Sequence, residues 1–482
     1  MEVIDSFSNT PIKPFINNPV HKATFLRSEL ELNNQFQPLD EFLKWFDSRK
    51  SANRFSVELI PFSKLDKWHF TWRFGAGVHS LVHDSGRFYK IKGIRVLMNG
   101  ESWDQPIIDQ PEIGILGVIT KKFNGVRYFL MQAKMEPGNI NLIQLSPTVQ
   151  ATKSNYTQVH RGTAPKYIEY FLDSSKSKVL IDHLQTEHGR RFLRKRNRNI
   201  IVEVEEDVPV YEDFKWLTLG ELKKLVGLDN LVNVDSRSVL SCINFLDEEI
   251  DEGFIDEISD DFKRGVFTSM ISDKNSLHSL NDIIHWFTEM KANAEVTTEE
   301  VPLNEVRGWS INDDGLRHGS GKFFSVVGVS VIAGNREVGS WTQPLIKHNS
   351  HGLIGFLCKK INGVLHFLVQ AKAEPGSFTV MEMVPAVECD DIDDRINRGQ
   401  IPKFSEFFIN ASKDKIKFDA FESEEGGRFY KCHNRCMVVE TDSNFDIPKN
   451  YHWMTLNQIM SLIKHNYFNI DARNLLTYLS LK

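Results

Sequence analysis

The strongest constraint on this chain is that most of it is written twice. Residues 102–138, SWDQPIIDQPEIGILGVITKKFNGVRYFLMQAKMEPG, align without a gap to 340–376, SWTQPLIKHNSHGLIGFLCKKINGVLHFLVQAKAEPG, with 20 of 37 positions identical at a constant offset of 238. The match runs outward: LDEFLKWF (39–46) echoes LNDIIHWF (280–287), and PKYIEYF (165–171) echoes PKFSEFF (402–408). GRRFLRKRNR (189–198) echoes GGRFYKCHNR (426–435), and WLTL (216–219) echoes WMTL (453–456). A period this long is a duplicated domain rather than a solenoid of short repeats. Between the copies, LDEEIDEGFIDEISDDF (246–262) carries nine acidic residues in 17 and reads as a solvated connector. The expected division is a first repeat over 1–245, a connector over 246–262 and a second repeat over 263–482.

Within each copy the pattern is mixed. Leu39, Phe42, Leu43 and Phe46 recur at i, i+3, i+4, i+7, an amphipathic helix. ILGVITKKFNGVRYFLMQAK reads as two strands joined at Asn124–Gly125, the strongest short-range hairpin signal. KVLIDHL (178–184) and NIIVEVE (199–205) alternate as strands, while PKYIEYFL (165–172) and WLTLGELKKLV (216–226) read as helices. Hairpins interleaved with helices predict an α+β class, each repeat a mixed sheet flanked by helices.

Composition narrows the function classes. Among 482 residues, 41 % hydrophobic and 25 % charged describe a globular protein with ample core, and a net charge of −6 argues against nucleic acid as the main partner. No apolar run approaches membrane-spanning length. The start, MEVIDSFSNTPIKPF, shows no basic segment followed by an apolar one, so no secretory signal is expected. Five cysteines fit reduced thiols in a cytoplasm better than a disulfide framework. Cys432 and Cys436 flank His433 but lack a second ligand pair, so no metal is expected there. Neither common glycine-rich phosphate motif is present, and no nicotinamide, flavin or other cofactor is expected.

Three stretches carry chemistry. In QAKMEPGN (132–139), alternation sends Gln132, Lys134 and Glu136 to one strand face, and Gln370, Lys372 and Glu374 repeat them. An amide, an ammonium and a carboxylate retained in both copies predict a lined site rather than surface decoration. SPTVQATKSNYTQVHRG (146–162) fits no helical or strand period and is rich in polar groups, the profile of a functional loop. HLQTEHGRRFLRKRNRN (183–199) carries six cations, of which only Arg191, Arg194 and Arg198 have counterparts, Arg428, Lys431 and Arg435, in the second copy. Guanidinium groups grip phosphate bidentately, so anion recognition competes here with an exposed helix end. Trp103, beside Gln105, and its repeat Trp341 are either core or a stacking platform.

QAKMEPGN, QLSPTVQATKSNYTQVHRG and LQTEHGRRFLRKRNRN, in that order, together with SEEGGRFY (423–430), resemble the NDP-hexose 2,3-dehydratases over essentially the whole chain. The resemblance implies two tandem Nudix-like domains, a homodimer, no metal requirement and a nucleotide-linked 4-keto-6-deoxyglucose, usually the dTDP form, as substrate. The RExxEE core of a Nudix hydrolase stands in neither copy. One departure matters: PTVQ (147–150), which many relatives keep in both copies, becomes PAVE (385–388), followed by the acidic CDDIDDRINRG.

Elimination of water across C2 and C3 beside a C4 ketone needs a base for the C3 proton, a donor to the developing O4 oxyanion and an acid for the departing hydroxide. On this reading Tyr156 or His160 transfers the proton, with Glu136 as the alternative base and Lys134 as oxyanion or leaving-group stabiliser. Arg161, Arg191, Arg194, Arg196 and Arg198 are diphosphate candidates; Trp103, Gln105, Thr148, Gln150 and Asn197 are candidates for base and sugar. The second repeat is expected to be degenerate, with Trp341, Lys372, Glu374 and Arg428 forming an auxiliary nucleotide site if it retains one. Two other classes compete: a Nudix-type nucleotide-sugar hydrolase, which needs a magnesium-holding carboxylate cluster, and a non-catalytic nucleotide-sugar receptor.

Overall fold

The structure, a computed structural model, describes residues 19–73, 77–156, 164–245, 255, 258–334 and 338–481. The acidic connector therefore lies largely outside the described residues.

In the first half the strands are β1 (Phe55–Ile60), β2 (Trp68–Arg73), β3 (Gly77–His83), β4 (Lys90–Met98), β5 (Glu101–Asp109) and β6 (Gly114–Phe123). They continue as β7 (Val126–Met135), β8 (Ile143–Ser146), β9 (Val149–Ala151), β10 (Lys178–Thr186), β11 (Arg196–Glu203) and β12 (Phe214–Thr218). The second half supplies β13 (Val296–Val301), β14 (Trp309–Asn312), β15 (Gly315–His318), β16 (Ser325–Ala333), β17 (Ser340–Lys347) and β18 (Gly352–Ile361). It ends with β19 (Val364–Lys372), β20 (Glu382–Pro385), β21 (Val387–Cys389), β22 (Ile416–Ser423), β23 (His433–Glu440) and β24 (Tyr451–Met454). Each half contains a seven-stranded mixed sheet, ordered β10-β11-β6-β7-β12 and β20-β19-β18-β23-β22 with short strands appended. The parallel pairs are β11 with β6 and β18 with β23.

The hairpin expected at Asn124–Gly125 is present, and both residues take positive φ (51° and 78°), as do Asn362 and Gly363 (52° and 80°). This is the turn whose twist matches paired strands, and Asn and Gly enter it at little strain. Two helix expectations are corrected. Residues 214–218 form β12, pairing with β7, and the helix begins only at Leu219, where Thr218 and Glu221 close a reciprocal capping box. In PKYIEYFL only Glu169–Leu172 is helical, because Tyr167 sits at φ 67°, outside the helical region.

The two halves are interlocked in a way the repeat boundaries do not express. β1, from the first half, pairs with β16 of the second, and β13, from the second, pairs with β4 of the first. Each of the two five-stranded sheets is thus completed by the other copy. One face of each seven-stranded sheet packs on a cluster private to its half; the other enters a core built from both halves, where Phe129 and Leu217 share a cluster with Phe367 and Ile459. Two free-standing domains are therefore replaced by a pair that shares its apolar interior.

A second reciprocal contact sets the site. Gly138, at the end of the EPG turn after β7, donates to the Gly426 carbonyl at 2.7 Å; Gly376 donates to the Gly189 carbonyl at 2.7 Å. A Cβ on Gly138 would collide with the Phe429 carbonyl, and one on Gly376 with that of Phe192. Gly138→Ala is therefore expected to lower unfolding free energy by roughly 3 kcal/mol. Gly265→Ala, in the helix Asp261–Ile271 with ordinary contacts around its Cβ, should raise it by up to about 1 kcal/mol. Urea denaturation of both variants checks this; equal responses would mean the turns are not tightly apposed.

Candidate active site

The EPG turn of the first half meets the EGG turn (425–427) of the second at the wall of a cavity of about 630 Å³, within the range of small-molecule sites. Its buried end holds Lys134, Glu136, Glu187 and Asp235. Glu136 is fixed by strand geometry: Ala133 and Met135 point into the shared core, so Lys134 and Glu136 face the cavity. Gln150 Nε2 donates to Glu136 Oε1 at 2.9 Å and Lys134 Nζ lies 3.3 Å from the same oxygen. Among the described residues Glu136 Oε2 has no hydrogen-bond partner. Asn197 spans the gap between strands: its Oδ1 accepts from Gly114 N at 3.2 Å and its Nδ2 donates to Glu187 at 2.6 Å.

The second half closes the cavity. Arg428 donates to Gln110 at 3.1 Å and lies over the Tyr89 ring at 4.2 Å. Trp341 donates to Gln343, which donates to the Gly427 carbonyl, so the indole is oriented through a two-step chain (2.7 and 2.8 Å). Trp341, Lys67, Arg87 and Asp84 form the more exposed end. Burial dominates the electrostatics: it pushes Lys195 down to about 8 and Glu425 up to about 7, with Arg428 opposing and Glu136 and Glu187 adding to the latter. Asp235 is raised well above the carboxylate range by burial and then by Glu425, Glu187 and Glu136.

The equivalent place in the second half is filled. Arg190 occupies it, pairing with Glu388 at 3.0 Å, Glu374 at 3.3 Å, Asp471 at 2.7 Å, and with Asp390. Lys372 pairs with Glu388 at 2.9 Å. His188 stands 2.8 Å from Glu424 and 3.6 Å from Asp471; burial alone would depress its pKa, but the two carboxylates hold it up to about 10. In the gap-free alignment Arg190 corresponds to Gly427 and His188 to Glu425. A glycine thus leaves open in one site the volume that a guanidinium fills in the other.

Of the residues singled out in the sequence, Lys134, Glu136, Gln150 and Asn197 line the cavity, and so do Trp341 and Arg428 from the other half. Trp341 and Arg428 thus join the first half's site and are separated from Lys372 and Glu374, which lie in the filled one. His160 and Arg161 lie outside the described residues. Tyr156 packs on the private cluster of the first half, its pKa raised by burial and by Glu112, while Ser154 and Asn155 reach the cavity from the same loop. Thr148 ties strands together, accepting from Ile119 N at 2.9 Å and donating to the Leu130 carbonyl. Trp103 donates to Gln105, and Gln105 to the Arg190 carbonyl, the mirror of the Trp341 chain. The arginines are engaged elsewhere: Arg191 with Asp390, Arg198 with Asp182, Arg196 over Phe378, and Arg194 is exposed. Glu187, Asp235, Glu425 and Tyr89 were not singled out. The signal for Glu425 lay in the repeat itself, where TEHGRR faces SEEGGR and a cation is exchanged for a carboxylate beside a cation lost to glycine.

A family model described as NDP-hexose 2,3-dehydratase matches residues 39–243 and 280–479. A dTDP-4-dehydro-6-deoxy-alpha-D-glucopyranose 2,3-dehydratase of Saccharopolyspora spinosa is 43 % identical over 469 residues, 94 % of each chain. Proteins of the same description from Amycolatopsis orientalis and Streptomyces violaceoruber are 41 % and 40 % identical, each over 90 % of this chain and over 88 % and 95 % of their own.

The filled site generates a stability prediction. His188 is protonated in the fold with a pKa above its unfolded value near 6.5, so its contribution is complete below that pH and is lost as pH rises toward about 10. His188→Gln should flatten the decline of urea midpoint between pH 6.5 and 10 relative to wild type. An unchanged slope would mean that the imidazole is neutral.

Proposed function

The chain belongs to the NDP-hexose 2,3-dehydratase family, and from that premise we propose that the cavity at the EPG–EGG junction is where it removes water from a nucleotide-linked 4-keto-6-deoxyhexose. It is a lyase of deoxysugar biosynthesis. The product on this reading is the 3,4-diketo-2,6-dideoxy sugar, and the relatives' names favour dTDP as the carrier. The observation that carries the site assignment is Glu136: one oxygen is held by Gln150 and Lys134, and the other, at the cavity wall, is buried with no hydrogen-bond partner among the described residues.

The ketone acidifies C3–H. Glu136 takes that proton, and the electron pair passes to O4, where Lys134, 3.3 Å from Glu136, stabilises the oxyanion. Collapse of the enolate forms C2=C3 and expels the C2 hydroxyl, and the enol at C3 tautomerises to the second ketone. The carboxylate-rich buried end would repel a diphosphate, so the sugar lies there while the diphosphate lies toward Arg428 and Lys195. The base then stacks at the exposed end, on Trp341. The first repeat supplies the chemistry and the second completes its cavity, while the second repeat's own position is closed by Arg190. Each seven-stranded sheet with its single parallel pair supports a Nudix-like reading of the repeats. A cytoplasmic homodimer is part of the same proposal; the five free, buried cysteines fit a reducing compartment.

Incubating the protein with dTDP-4-keto-6-deoxyglucose and EDTA should yield a product lighter by one water in mass spectrometry; activity abolished by chelation and restored by magnesium would revive the hydrolase alternative. Lys134→Ala should lower turnover by about 100-fold or more. Lys372→Ala, in the filled site, should leave turnover of the folded protein within about threefold. Equal damage from the two substitutions would place chemistry in both halves. Sedimentation at micromolar concentration tests the dimer.

A further inference from the structure

We propose that Glu425, contributed by the second half of the chain, is the general acid that protonates the departing C2 hydroxyl. The inference rests on the dehydratase reading and adds to it the group that the elimination still lacks. Glu425 is partly open to the cavity, and the backbone beside it is pressed onto the proposed base: a Cβ on Gly426 would meet Glu136 Cβ at 2.9 Å. The two carboxyls thus face one ligand from opposite halves.

Their surroundings differ in the way that separates an acid from a base. Glu136 accepts from Gln150 and lies 3.3 Å from Lys134 Nζ, and Glu187 accepts from Asn197. Glu425 accepts only from the Gly427 N–H, at 3.1 Å, and forms no ion pair within 4.0 Å among the described residues. The groups that face it are Arg428, Glu136, Glu187 and Lys134, with Asp235, Lys195 and Tyr89 also within electrostatic reach. With Glu425 itself the cluster sets four carboxyls against three cations, an excess that favours a retained proton. Asp235, in the first turn of the helix Val234–Leu240, also lines the cavity but is 2 % exposed, whereas Glu425 is only partly buried. In the filled site His188 and Arg190 neutralise the equivalent carboxylates; here Glu425 and Gly427 stand in their places, and protons substitute for the missing cations.

The step balances. The Glu425 carboxyl gives its proton to O2, the C2–O bond breaks with its electrons leaving on oxygen, and water departs as C2=C3 forms. The proton that Glu136 took from C3, relayed through water, restores the Glu425 carboxyl. Because the acid must be protonated, elimination should decline as pH rises through about 7, the value to which burial pushes Glu425.

The test follows exchange and elimination separately in D2O with dTDP-4-keto-6-deoxyglucose. Glu425→Gln should lower water loss by about 100-fold or more and abolish the alkaline decline, while deuterium still enters C3 of unreacted substrate. Wild type at pH 9 should likewise exchange C3–H faster than it loses water, a readout that survives if the variant fails to fold. Water loss within about threefold of wild type, or exchange and elimination lost together, overturns the role of Glu425. So does a wild type in which the two processes stay coupled at every pH. If wild type exchanges and eliminates nothing at all, it is the dehydratase reading that fails.

Discussion

The backbone contact of Gly138 with Gly426, mirrored by Gly376 with Gly189, is what the remaining architecture is arranged around. Each is an amide–carbonyl hydrogen bond between halves at a place where a methyl group would strike a carbonyl. Such close approach is available only to glycine. It brings the carboxylate after β7 of one half against the turn after β22 of the other, so neither half owns a complete site. The exchanged strands and shared core hold the halves in register, and Arg237 and Arg473 add reciprocal buried bonds to the carbonyls of Ser423 and Thr186 (2.7 and 2.6 Å).

Two junctions built alike have taken opposite electrostatic courses. Around Arg190 the ions pair with one another at 2.7–3.3 Å, and deleting the guanidinium would strand several buried carboxylates in a low dielectric, a penalty of roughly 3–5 kcal/mol. That junction is a stable piece of core. Around Gly427 the same carboxylate-bearing frame lacks the plugging cation, and Arg428, Lys134 and Lys195 stand around an open cavity instead. A few side chains separate the two junctions: one holds a network of paired ions, the other borders an open cavity.

The duplication, the hairpins and the faces of Lys134 and Glu136 were legible because they depend on local periods and on identity between copies. Placement of the arginines was not: Arg198 meets Asp182 across one β ladder and Arg191 meets Asp390 across the halves, and no local pattern announces either partner. Tyr156 is a proton-transfer candidate by its phenol, but at the end of the short helix Lys153–Tyr156 it packs on the apolar layer. Trp341 and Arg428 line the cavity of Lys134 and Glu136 rather than one of their own repeat, because neither repeat is closed upon itself. The sequence carries the repeat but is silent on which copy's turn faces which copy's strand, and that pairing decides the site.

The exchange of β1 and β13 also governs how the chain reaches this state. Ile60 pairs with Gly328, and Val301 with Gly93, so neither five-stranded sheet can close until most of the chain exists. The entropy of closing so long a loop grows only slowly with length, but pairings this distant in sequence retard folding. During synthesis the nascent first half carries β4 with the edge reserved for β13 unpaired, an edge able to recruit any extended segment nearby. The edge of β4 stays open until residues 296–301 have been made, and a pause before them lengthens the interval in which two nascent chains can pair with each other.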